Sequence, residues 1–171
     1  MQIVHVSAEC FPVAKVGGLA DVVGALPKYQ ESSGVSSSVI LPFYDNKFTQ
    51  APKKEIEKIN EGVVNLGEAT FGYHILKLAK KVLGFELLLI KITGLTDREK
   101  VYGYEDDVER FIAFQKATCD YLNQLGEKPS IVHCHDHHTG FIPFSLEAHS
   151  TSFPHDAQSQ AYPIAFVFPS A

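Results

Sequence analysis

The sequence predicts an α/β domain with a mainly parallel sheet, and three observations carry that expectation. Short runs rich in β-branched and apolar residues recur at residues 2–8, 35–42 and 130–134. Stretches with apolar residues at helical spacing lie between or after them, and glycines and prolines punctuate each change of period. Alternation of this kind builds a parallel sheet, because each crossover supplies a helix that covers it. With 171 residues, 45% of them apolar, the chain is about one domain's worth and can bury a core.

The first run, QIVHVSA, reads as a buried strand that ends against Pro12 and the pair Gly17 and Gly18. Leu19, Val22, Val23 and Leu26 then recur at helical spacing until Gly34 stops the pattern. Pro27 lacks a backbone donor and is expected to kink or shorten this helix. VSSSVILP, residues 35–42, is the second strand. Residues 43–62 are polar, lysine-rich and interrupted by Pro52, and they read as a solvated excursion from the sheet. Two runs of strand formers follow, FGYHILKLAKK and GFELLLIKIT, and predict a hairpin or meander.

Asp106 with Glu109 three residues on has the form of a capping box, and Val108, Phe111, Ile112, Gln115, Leu122 and Leu125 keep a helical period to Gly126. After Pro129, residues 130–134 form a strand without polar alternation, as expected where both faces are covered. A further helix over 139–148 requires Pro143 to lie in its first turn. A polar loop then leads to PIAFVFP, which makes a last strand.

Composition narrows the partners. A balance of 15 basic against 20 acidic side chains, with no basic run beyond pairs, disfavours a nucleic-acid surface and leaves small ligands as the better expectation. The three cysteines, Cys10, Cys119 and Cys134, are odd in number and widely spaced, which fits a reducing compartment rather than a disulfide framework. No apolar run approaches the roughly 18 residues of a membrane span, and MQIVHVSAECF lacks the features of an export signal. A cytoplasmic location is expected.

Ligands of open parallel sheets bind beyond the carboxyl ends of the strands. Two segments there carry chemistry. In AECFPVAKVGGLAD, residues 8–21, the glycines allow close backbone approach, the helix start offers free N–H groups, and Lys15 adds a positive charge, so a phosphate would be accommodated. An ordinary strand-to-helix turn also uses such glycines, and the residues alone leave both readings open. In IVHCHDHHTG, residues 131–140, four histidines, a cysteine and an aspartate fill six consecutive positions, a ligand set that zinc favours. Side chains alternate faces along a strand, however, so His133, Cys134, His135 and Asp136 cannot all converge on one ion, and no metal is expected.

Three blocks, HVSAECFP with KVGGLADVVGALPK, YEDDVERFIAFQKA, and IVHCHDHHTGFIPF, resemble in order and spacing the signatures of bacterial glycogen synthases and plant starch synthases over residues 1–148. The resemblance implies a GT-B glycosyltransferase, in which two Rossmann-like domains face each other across a cleft. Residues 1–148 would be the N-terminal catalytic domain, with helices on both faces of its sheet, and residues 149–171 a divergent tail, as in a truncated or frame-altered chain. The C-terminal nucleotide-binding domain would be absent from this chain. The implied reaction moves glucose from ADP-glucose to the non-reducing end of an α-1,4-glucan with retention of configuration, without metal or cofactor. The choice of ADP over UDP rests on the resemblance alone. A plant member would work in the plastid, although no transit peptide is visible.

Carried over by position, Lys15, Gly17 and Gly18 would meet the donor diphosphate, and Asp21 and Glu9 would face the sugars. Asp136 would lie by the acceptor, His138 would organise the cleft, and Tyr104 would lie near the glucan path. Asp21, Asp136 and His138 are the residues assigned to catalysis. Val16 stands where the family has threonine, and His137 where it has tryptophan, which reduces a sugar-stacking surface. A later family histidine would fall at Phe168, which cannot donate a hydrogen bond. The alternative expectation is a non-catalytic fragment that binds glucan or nucleotide sugar, and a metalloprotein built on the histidine run is a third.

Overall fold

The computed structural model describes residues 1–51, 55–79, 81–151 and 164–167, of which 147–151 and 164–167 as backbone only. The strands β1 (Gln2–Val6), β2 (Ser36–Pro42), β3 (Ile56–Leu66), β4 (Ala69–Leu78), β5 (Glu86–Ile92), β6 (Ile131–His135) and β7 (Ile164–Val167) form one sheet in the order β3-β4-β5-β2-β1-β6-β7. The pairs β2 with β5, β1 with β2, β1 with β6, and β6 with β7 are parallel, while β3, β4 and β5 form an antiparallel meander. Helices α1 (Leu19–Ser32), α2 (Asp107–Gln124) and α3 (Ile142–Thr151) complete the described elements.

Strand alternation sorts the core into two layers. Val39 and Leu41 of β2, with Leu87 and Leu89 of β5, pack with Val23 of α1. Their neighbours Ile40, Leu88 and Ile90 point the other way, onto Phe111, Phe114 and Leu122 of α2 and Ile142 and Leu146 of α3. Helices therefore cover both faces, as the sequence predicts. At roughly 1.5–3 kcal/mol for each large apolar side chain fully buried, these two layers supply the main drive for folding. The serines of β2 are compatible with burial because Ser37 is tied to α1: its Oγ donates to Gln30 Oε1 and its N–H to Glu31 Oε1.

Three local expectations need correction. Within 43–62, residues 56 onward are not an excursion but the start of β3. This strand sits at the sheet edge, and its exposed positions carry Glu57, Lys58 and Glu61, so its composition hides its pairing. Pro27 does not end α1, which runs through it to Ser32, with Pro27 itself buried. Asp106 does precede α2, but its side chain makes no capping bond and instead pairs with Arg98. The Asp107 carboxylate ties down the segment before α2, accepting from the N–H groups of Gly103 and Tyr104. The expectation at Pro143 holds, since it is the second residue of α3. Phe168 and residues 152–163 lie outside the described residues.

From β1 the chain steps to β2 on one side, and β6 lies on the other, so the order reverses between β1 and β6. Such a switch point splays the loops that leave the two strand ends and opens a crevice between them. Close packing of α1 against the first of these loops depends on Gly24: an added Cβ would lie 2.6 Å from the Phe11 carbonyl oxygen.

The β1–β6 seam carries an unusual polar layer on the α1 side. His5 stands opposite His133 in register, and His135 follows two residues on. Gln30 Oε1 accepts from His5, whose Nδ1 lies 2.9 Å from Nε2 of His135. Burial, opposed by the Gln30 hydrogen bond, lowers the His5 pKa to about 4, and burial with the neighbouring imidazoles lowers that of His135 to about 3. Burial also lowers His133. The unfolded chain therefore binds protons below its ordinary histidine pKa of about 6.5 that the folded chain refuses, and stability present above that pH is lost as the pH falls toward the folded values. The His5 shift alone is worth on the order of 3 kcal/mol. Thermal or urea melts should show stability declining between about pH 6.5 and 5, above the range where carboxylates dominate. A flat profile there would count against this reading.

Candidate functional site

The loop from β1 to α1 is held from beneath before any ligand is considered. Tyr44, fully buried, donates its hydroxyl to the Ala8 carbonyl at 2.8 Å, and Asn46 donates to the Val13 carbonyl. Cys10 and Ala14 close a small backbone bridge, and the Phe11–Pro12 peptide is cis. The loop then delivers Lys15, Val16, Gly17 and Gly18 to solvent at the start of α1. First-turn amides of a helix have no partners within it, so this end favours an anion. A Cβ added at Gly17 or Gly18 would meet nothing within 4 Å, so packing does not require glycine there. Gly18 is the N-cap of α1, where glycine is favoured in its own right, and the open space at both positions leaves room for close approach from outside the fold.

Glu9 joins this loop to two others. It is 4% exposed; its Oε2 accepts from Val16 N–H at 2.6 Å and Gly17 N–H at 2.9 Å, and its Oε1 accepts from the Tyr102 hydroxyl at 3.0 Å. Burial, then the charge and hydrogen bond of Glu9, raise the Tyr102 pKa, so this hydroxyl keeps its proton. The Tyr102 ring stacks on His138 at 4.7 Å and tilts against Phe111 at 5.8 Å. Behind it, Arg110 is 2% exposed and braces the loop before α2, donating to the Leu95 carbonyl and pairing with Asp107.

The end of β6 turns sharply. Asp136 has φ 64° and ψ 175°, a conformation that costs a non-glycine residue of order 1–3 kcal/mol. The turn is held by Thr139, whose hydroxyl donates to the His135 carbonyl, and by Asp136 Oδ1, which accepts from the backbone and imidazole of His137. Burial would raise the Asp136 carboxyl, but these hydrogen bonds and the flanking histidines outweigh it and hold the pKa low. Burial, with the neighbouring His137, lowers the His138 pKa to about 4, so His138 is neutral near pH 7. Its Nδ1 is shielded and has no hydrogen-bond partner among the described residues. Tyr102, His137, His138, Phe111, Val108 and Gln115 line a cavity of about 580 Å³ on this side. A second cavity, of about 530 Å³, is lined by Lys15, Val16, Lys47, Lys100 and again Tyr102.

The residues expected from sequence are distributed accordingly. Lys15 and Asp21 are both exposed and paired with each other at 2.6 Å. Asp136, His137 and His138 share the turn after β6, and the last two line the apolar cavity. Glu9, expected to face the sugars, has both oxygens turned inward, and the Gly17 amide is engaged by it. Tyr104 lines neither cavity; its ring lies over Arg98 and Arg110, and its hydroxyl accepts from Lys100 N–H. The neighbour that reaches both cavities is Tyr102. The sequence signal for it was the aromatic pair in V-Y-G-Y, where Tyr104 drew the assignment through its block.

The fold and its sequence blocks have relatives among known proteins. The family described as starch synthase catalytic domain matches residues 2–163. A glycogen synthase of Flavobacterium johnsoniae is 52% identical over 147 residues, covering 86% of this chain and 31% of the relative. A glycogen synthase of Streptococcus equi subsp. equi is 41% identical over 147 residues, covering 86% and 30%. The solved catalytic domain of starch synthase IV from Arabidopsis thaliana, bound to ADP and acarbose, superposes with a TM-score of 0.79 at 30% identity, covering 96% of this chain and 33% of that one. The chain thus spans about a third of the length of the relatives it matches.

The backbone at Asp136 gives a direct test of the turn. Asp136→Ala loses the hydrogen bonds to His137 and keeps the positive φ, whereas Asp136→Gly loses the same bonds but relieves the strain. Denaturant melts should find the glycine variant more stable than the alanine variant by about 1–2 kcal/mol. Equal stabilities would mean the turn is not held in this conformation.

Proposed function

The chain belongs to the starch synthase catalytic-domain family, and from that premise we propose that it is the N-terminal half of a two-domain retaining glucosyltransferase, acting on ADP-glucose and the non-reducing end of an α-1,4-glucan. The observation that carries the reading is the junction at the switch point. An anion-seeking loop with Lys15 and an aromatic-lined cavity with His137 and His138 stand side by side, joined through Glu9 and Tyr102. The ADP and acarbose of the starch synthase IV structure, a nucleotide and a glucan analogue, support the two ligand classes.

In such a transfer, negative charge builds on the departing diphosphate while the glucosyl carbon becomes oxocarbenium-like, so fixed cations and dipoles matter more than a nucleophile. The exposed Lys15–Asp21 pair is worth roughly 0–1 kcal/mol, too little to hold Lys15 back from a diphosphate. Lys15 then leaves Asp21 for the phosphate, with the N-terminal end of α1 adding its partial positive charge. Asp21, released, is free to face the positive sugar. Gly17 and Gly18 serve here by leaving room for the donor rather than by the Gly17 amide, which Glu9 holds. On the acceptor side, the His137, His138 and Tyr102 rings give the apolar sugar face a surface, and His138 stays neutral there. We assign Asp136, held ionised by the turn, to the acceptor side. No metal or cofactor is invoked, since Lys15 and the helix start supply the positive charge. We place the protein in the cytoplasm, a reading supported by three free cysteines; no helix among the described residues is long and apolar enough to cross a membrane.

A second reading, that the 171-residue chain alone binds ligands without turning them over, is favoured by its spanning 31% of its relative. Catalysis needs both substrates fixed together, which one wall of a cleft does poorly. Labelled ADP-glucose should give no glucose incorporation into glycogen with this chain alone, and incorporation would exclude the second reading. By calorimetry, Lys15→Ala should weaken ADP binding about tenfold and leave maltooligosaccharide binding unchanged, as expected for one lost charge-assisted contact. Unchanged ADP affinity would remove Lys15 from the donor site.

A further inference from the structure

The imidazoles at the β1–β6 seam take no part in the site above, and we propose that His5, His133 and His135 form a binding site for one divalent transition-metal ion of the zinc and cobalt class. The sequence argues only that four successive residues cannot converge. It cannot show that His133 and His135, on one face of β6, meet a third imidazole from β1. In the fold they do: one ring nitrogen from each lies within 4.8 Å of the others. His5 and His135 are 0% and 2% exposed. Nε2 of His133 is shielded from solvent and has no hydrogen-bond partner among the described residues, a state costly for a buried polar atom and resolved by a ligand.

Hydrogen bonding fixes which lone pairs are available. Gln30 Oε1 accepts from Ser37 Oγ at 2.7 Å and from His5 Nε2 at 2.8 Å, so the His5 proton sits on Nε2 and Nδ1 carries the lone pair. That nitrogen now accepts from Nε2 of His135 at 2.9 Å. When an ion enters, the His135 proton moves from Nε2 to Nδ1, and the lone pairs of His5 Nδ1, His135 Nε2 and His133 Nε2 form three bonds to the metal. No net proton is released, and solvent completes the tetrahedron. Two nitrogens bound at about 2.0–2.1 Å to a tetrahedral ion stand about 3.3 Å apart, so the His5–His135 pair must open by about 0.4 Å and a pair at the 4.8 Å limit must close by about 1.5 Å. The His133 and His135 rings, stacked at 4.1 Å, must turn about χ1 and χ2 so that their lone pairs converge. The lost imidazole–imidazole bond is worth about 1 kcal/mol, small against three metal–nitrogen bonds. An all-imidazole set selects zinc, cobalt, nickel or copper over calcium and magnesium, which take oxygen ligands. Bound there, the ion cross-links β1 to β6 directly beneath the turn that carries Asp136.

The test uses the 171-residue chain near neutral pH with cobalt(II) as a spectroscopic probe and zinc as competitor, and it needs no sugar or nucleotide, so its outcome is separate from that of the proposed function. One equivalent of cobalt should bind with the intense visible bands of a tetrahedral site, and zinc should displace it. His133→Gln removes a ligand whose Nε2 makes no hydrogen bond among the described residues, so it should fold normally by circular dichroism and bind at least about tenfold more weakly. His137→Gln, at the neighbouring Asp136, His137 and His138 cluster, should bind cobalt as the parent does. In isotope-labelled chain, zinc should shift the ring-nitrogen signals of His5, His133 and His135, a readout that needs no variant. Absence of binding, a weak octahedral spectrum, or loss of binding in His137→Gln instead of His133→Gln would overturn the proposal.

Discussion

A buried carboxylate organises the carboxyl end of this sheet. Glu9 is almost wholly shielded, and an unpaired carboxylate there would cost several kcal/mol, so its position is set by where donors can reach it. Those donors come from two loops: the Val16 and Gly17 amides from the first, and the Tyr102 hydroxyl from the segment before α2. Each bond to the charged group is worth about twice a neutral one, and the three act together because losing any donor leaves the same charge underpaired. Through the stacking of Tyr102 on His138, the constraint extends to the turn after β6. Three loops far apart in sequence therefore share one electrostatic anchor.

That anchor stands on a scaffold that the sequence largely reveals. The parallel strands were legible because burial on both faces leaves continuous apolar runs, as in Val39, Ile40 and Leu41. Helix α2 was legible from period alone. The first half of β3 was not, since an edge strand need satisfy only one face and can carry charges on the other. Asp106 misled as a cap because Arg98, eight residues earlier, offers its carboxylate a stronger partner than a backbone amide.

Of the candidate site, the place in the fold was legible from the sequence more than the geometry. Motif position identified Lys15, Asp136 and His138, and each lies at the switch point. Which way a side chain turns depends on neighbours from other elements. Glu9 turns inward because Tyr102 is there to receive it, and His133 meets His5 because β1 and β6 are neighbours in register. Neither pairing is encoded in local spacing. His137 in place of tryptophan is likewise clearer in context: its ring continues a row with His138 and Tyr102, so some aromatic surface survives the exchange.

Two kinds of glycine sit within one short segment, and they answer to different selection. A methyl group at Gly24 would strike the Phe11 carbonyl, whereas one at Gly18 would meet open space. A library sorted for survival against protease would discard alanine at the first position and accept it at the second. On the proposed donor site, sorting for bound ligand would discard alanine at both. The pair of positions thus separates what the polypeptide must do to fold from what it must do once folded.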